Sequence, residues 1–166
     1  MSLHAKSNLD NRTTSILREL AQLNIDSRDG FNYAAERLEH LEHNAPQIAE
    51  KFREFSDARA RNAEQLEALL INSGKDAPED GSWTATMHRT WMNIRDMFSS
   101  TLDITAVVAE AERGEDVIKR AYEEASRAVV GAVVALINQQ YSGIKSAHDS
   151  VRDLRNSLKE SDVKAR

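Results

Sequence analysis

The sequence predicts an all-α fold of four long helices and one short one. Three observations lead there: few residues that break helices, apolar residues recurring at three- and four-residue steps, and strong turn signals at only a few points. The 166 residues include 6 Gly, 2 Pro and 5% aromatics, which favours helices over a turn-rich β fold. That length suits one domain with a continuous core. The expected layout is a flexible N-terminus over 1–9, a helical domain over 10–158 and a flexible tail over 159–166.

The first helix is expected from about Asp10 to His43, with Leu17, Leu20, Phe31, Ala34, Leu38 and Leu41 along one face. Gly30 interrupts it, at a helix-propensity cost of about 1 kcal/mol. Asn44-Ala45-Pro46-Gln47 reads as a restart: Asn44 can cap, proline is tolerated in a first turn, and Gln47 can complete a capping box. The second helix, about Ala45 to Asn72, carries Ile48, Phe52, Phe55, Leu66, Leu69 and Leu70, and stops at Ser73-Gly74.

Lys75 to Gly81 is a loop by composition. Ser82 is placed as the cap of a short helix to about Phe98, with Trp83, Met87, Trp91, Ile94 and Phe98 on its apolar face. Both tryptophans fall here, so the helix reads as a lid across others. Asp103 is expected to cap a fourth helix bearing Ile104, Val108, Ala111, Ile118 and Tyr122, and the last is placed from about Arg127 to Leu158. The junction near Ser126 shows no Gly or Pro, leaving a continuous or kinked helix open. Ala128 to Ile137 is apolar all round and needs cover from the lid or from another subunit, which motivates a homodimer. Two tight hairpins of long helices joined by a long crossover make the second and third long helices parallel, the ferritin-like connectivity of a four-helix bundle with an extra short helix in the crossover.

Charge narrows the function. The chain holds 22 basic and 27 acidic residues, net charge -5, scattered without a basic stripe, so nucleic acid is not an expected partner. It has no cysteine, which excludes disulfides, thiolate metal sites and cysteine nucleophiles. The start, Met1-Ser2-Leu3-His4-Ala5-Lys6, lacks an apolar signal core, and the longest apolar run is too short to cross a bilayer, so no membrane role and a cytoplasmic location are expected.

The stretches Leu23-Asn24-Ile25-Asp26-Ser27-Arg28-Asp29-Gly30-Phe31, Leu38 onward, His88-Arg89-Thr90-Trp91-Met92 and Glu112-Arg113-Gly114-Glu115-Asp116 resemble an uncharacterised bacterial family of ferritin-like four-helix bundles, a domain of unknown function, over roughly residues 10–158. The Glu-Arg-Gly-Glu-Asp segment followed by Tyr122 is also similar to the third core helix of rubrerythrins. The resemblance implies the fold and a stress setting.

A ferritin-like dimetal centre needs one carboxylate from each of two helices and a Glu-x-x-His pair from each of the other two. No glutamate here has histidine three positions later. The nearest forms, beginning at Glu54, Glu64 and Glu112, place an acid there instead. Extending the apolar stripes through mid-helix turns Asn24, Ser27, Arg59, Asn62, Glu115 and Gln140 inward, with Glu112 at the edge. Antiparallel pairing is expected to set Ser27 beside Asn62 and Glu112 beside Gln140. An inward guanidinium repels metal, so Arg59 is expected to pair with Glu115 or Glu112, because a buried charge needs a partner.

The preferred reading is therefore a degenerate metal site and a non-catalytic structural or interaction module without cofactor. One alternative is a carboxylate-bridged dimetal oxidase or peroxide-scavenging protein binding iron or manganese through Asp26, Glu54, Asp57, Glu112 and Glu115. Another is a small-molecule sensor with its pocket between lid and bundle. His40 and His43 have a spacing that could hold zinc but sit where a helix end favours imidazolium. His88 is expected to be a packing or capping partner, His148 a surface or interface group, and Trp83 and Trp91 core residues.

Overall fold

The computed structural model describes residues 9–41, 45–75, 82–100 and 102–166. They form five helices: α1 (Asn11–Leu38), α2 (Ala45–Asn72), α3 (Ser82–Ser99), α4 (Ile104–Ala128) and α5 (Val133–Lys164). No strand occurs among the described residues.

Local chemistry sets several ends. Asp10 caps α1, its carboxylate accepting from the Thr13 N–H at 2.6 Å, and that bond holds its pKa below the usual value. Asp103 caps α4 in the same way, accepting from Ala106 N–H at 3.2 Å. α2 closes in a Schellman turn: Gly74 takes φ +71°, Lys75 N–H donates to Leu70 C=O, and Gly74 N–H donates to Ile71 C=O.

α1 stops at Leu38, about a turn before the expected His43. The caps assigned to Asn44 and to the Ser82 side chain, like His43 and most of the loop after Lys75, lie outside the described residues.

The last two helices depart from expectation. α4 runs unbroken through Ser126 to Ala128, and the corner comes afterwards at Val129–Ala132, where Gly131 adopts φ +78°. Ala128–Ile137 is therefore not one apolar helix but a helix end, a turn and a helix start. Val129, Val133 and Ile137 are buried in the chain's own core while Val130, Gly131, Ala132 and Ala135 stand exposed. The lid α3 packs on α1 and α4. At the far end α5 continues to Lys164, making helical most of the stretch expected as a flexible tail.

Side-chain pairings fix directions. α1 and α2 are antiparallel, with Asn24 meeting Asn62, Arg28 meeting Ser56 and Glu39 meeting Arg53. α4 and α5 are antiparallel too, through Tyr122–Gln140, Asp116–His148 and Glu112–Arg155. Arg12 and Ser15 near the start of α1 share a pocket with Glu124 and Arg127 near the end of α4, so these helices also oppose. α2 and α4, both opposed to α1, therefore run parallel.

α3 seats its Trp91 on glycine. A Cβ on Gly30 of α1 would come within 2.0 Å of the indole, and one on Gly114 of α4 would meet Thr90 Cγ2 at 3.2 Å. The glycine that weakens α1 by propensity is thus what lets the lid approach. Phe31 holds Trp91, Phe52 and Phe55 around it with ring centroids 5.0, 5.1 and 5.4 Å away. Burying each such ring contributes about 1.5–3 kcal/mol.

Candidate functional site: a buried polar layer

Midway along the long helices the apolar core gives way to hydrogen-bonding side chains. On α2, the inward stripe that carries Phe52 and Phe55 continues through Arg59 to Ala63 and Leu66. On α4, the stripe of Val108 and Ala111 continues through Glu115 to Ile118 and Tyr122. Helical periodicity thus drives a guanidinium and a carboxylate into the same interior. Arg59 Nη2 donates to Glu115 Oε2 at 2.6 Å, and each side chain is 1% exposed. Mutual attraction and the hydrogen bond offset the desolvation of both charges, and the pair is far costlier to halve than to hold.

Beside the pair runs a chain of neutral groups. Asn24 Nδ2 lies 2.8 Å from both Leu20 C=O and the Tyr122 hydroxyl, and Asn62 Nδ2 donates to Asn24 Oδ1 at 3.2 Å. The Tyr122 hydroxyl donates to Gln140 Oε1 at 2.8 Å, while Gln140 Nε2 donates to Gln65 Oε1 at 2.9 Å and to Asn62 C=O at 3.3 Å. Burial pushes the Tyr122 phenol well above its ordinary pKa, partly opposed by the Asn24 hydrogen bond and the Arg59 charge. The layer therefore carries a neutral phenol, four carboxamides and one ion pair.

The expected residues are thus distributed unevenly. Asn24, Arg59, Asn62, Glu115 and Gln140 lie in this layer, but the expected partners change. Asn62 meets Asn24 instead of Ser27, whose buried hydroxyl has no hydrogen-bond partner. Gln140 meets Tyr122 instead of Glu112, which forms an ion pair with Arg155 Nη1 at 2.6 Å. Arg59 Nε and Glu115 Oε1 are likewise buried without a partner.

The alternative metal ligands are not gathered. Asp26 is half-buried and accepts from Gln22 at 2.8 Å, Glu54 is exposed beside Lys51, and Asp57 is exposed. Among the described residues no group of three or more His, Asp or Glu is placed to hold a metal. The donor set at the centre does not fit two divalent ions, which need about four carboxylates, because Glu115 is already neutralised by Arg59.

The histidines are scattered. His40 is 79% exposed near Glu39, and His88 is exposed beside Trp91. His148, expected at the surface or an interface, is buried, with Nε2 2.7 Å from an Asp116 oxygen. Tyr122 and Gln65 were absent from the expected layer. The signal for Tyr122 was present in its position: it sits two turns beyond Glu115 on the same stripe, and a buried tyrosine seeks a partner for its hydroxyl.

The fold and site define an all-α protein with a polar layer inside its core. Residues 12–128 match the family model described as a domain of unknown function (DUF2383), and the chain belongs to that family. The match spans α1 through α4, and α5 follows it. No curated protein matches the chain. Among the described residues no helix is long and apolar enough to cross a membrane.

Proposed function

We propose that this chain is a ferritin-like four-helix bundle of α1, α2, α4 and α5, with α3 as the extra helix of the crossover, and that it serves as a non-catalytic structural or interaction module. The connectivity supports the first part, since α2 and α4 run parallel across a crossover that contains α3. One observation carries the second: the Arg59–Glu115 pair occupies the middle of the core, where a dimetal protein would converge its carboxylates. A fixed guanidinium there raises the electrostatic cost of a divalent cation and removes the central glutamate from the ligand supply.

The test is to incubate the purified chain with iron or manganese, remove excess by gel filtration, and measure bound metal and iron-dependent peroxide consumption. The expected result is substoichiometric metal and no consumption above free iron. Two tightly held ions per chain would overturn the reading in favour of the dimetal oxidase or peroxide-scavenging alternative.

A further inference from the structure

We propose that the cleft between α2 and α5 binds a small carboxylate-bearing molecule against the central polar layer. The cleft, about 450 Å³, opens to solvent, and its lining includes Arg59, Asn62 and Gln140 of that layer. Arg59 is almost wholly buried, yet its Nε has no partner, so a charged donor in the cleft wall is left unused. A buried donor without a partner is costly, more so when charged, and an incoming acceptor recovers that cost.

Charge selects the ligand. Beyond Arg59, whose charge Glu115 balances, Lys51 and Arg61 line the cleft against a single carboxylate, Glu54, which stands 3.6 Å from Lys51. In a chain of net charge -5, this is a local excess of positive charge. Ser146 and Ser150 add hydroxyl donors on the α5 side. Planar guanidinium and carboxylate match in geometry as well as sign.

A glycine points to the same place. Gly143 lies inside α5, where glycine is a poorer helix former than alanine, and a Cβ there would meet nothing within 4 Å. Unlike Gly30, it has no neighbour in the chain that needs the space. It lines this cleft, and what it leaves open is room for an occupant. An apolar helix is excluded as that occupant, because it would seal the guanidinium and the carboxamides from any polar partner.

Titration calorimetry on the full chain at low ionic strength, with succinate, citrate and inorganic phosphate as probes, tests the proposal. The expected result is saturable binding of succinate or citrate that weakens with salt. Gly143→Leu, and independently Ser146→Leu, should lower that affinity by at least about tenfold while leaving the helical circular dichroism unchanged. No saturable carboxylate binding up to about 10 mM, binding of phosphate alone, or full affinity in both folded leucine variants would overturn it. This inference stands or falls apart from the proposed role, since the probes carry no metal and neither substituted residue belongs to the Arg59–Glu115 pair.

Discussion

Arg59 of α2 and Glu115 of α4 form an ion pair 2.6 Å long with both side chains 1% exposed. It links two parallel helices that are far apart in the sequence and is the only cross-helix contact between opposite full charges at that depth among the described residues. Removing one partner leaves the other charge buried and alone. Arg59→Met or Glu115→Leu is expected to cost about 3–5 kcal/mol, whereas the double variant should recover most of that loss or exceed the parent in stability. Urea unfolding of the four proteins measures it, and additive losses in the double variant would refute the coupling.

Tyr122 makes stability depend on alkaline pH. Its folded pKa is raised by burial above the ordinary value of about 10, so above that value the unfolded chain releases a proton that the folded chain keeps. The contribution is complete below pH about 10 and is lost as pH rises through the folded pKa, at up to about 1.4 kcal/mol per pH unit. Tyr122→Phe should remove that part of the slope. It should also cost about 1–3 kcal/mol at neutral pH, because Gln140 Oε1 loses its donor. Parallel slopes for parent and variant in unfolding experiments from about pH 9 to 11 would count against this account.

Two helix glycines should respond oppositely to the same substitution. Gly30→Ala drives a methyl into Trp91, so despite better helix propensity it should destabilise by about 1–3 kcal/mol or more and alter the near-ultraviolet dichroism of the indole. Gly143→Ala meets nothing and should stabilise by about 0.5–1 kcal/mol. Thermal unfolding midpoints that move in the same direction for both would contradict the packing described.

Arg155 ties α5 to α4 through Glu112, which is 8% exposed. Arg155→Ala should strand that carboxylate and cost about 1–3 kcal/mol, with amide exchange accelerating first in the last turns of α5. Unchanged exchange there would show that the contact does not anchor the helix.

Much of this was readable from residue order. Periodicity placed α2 and α3 to within a residue or so, and Asp103 before α4, because capping chemistry and a repeating apolar face are local properties. The same rule turned Arg59 and Glu115 inward. It went astray where local signals overlap: Ala128 to Ile137 is so uniformly apolar that the break at Gly131 is hidden within it. A glycine in such a run looks like one more small residue until its φ of +78° is known.

Composition and spacing by themselves determined an all-helical chain, which faces of its helices turn inward, and the presence of polar groups on those faces. Tertiary structure alone decided that Asn62 meets Asn24, that Tyr122 meets Gln140 while Glu112 goes to Arg155, and that Trp91 rests on Gly30. The reason is geometric. Sequence periodicity sets the angle of a side chain about its own helix axis, whereas a partner depends on how far each helix slides along, and stands from, its neighbours.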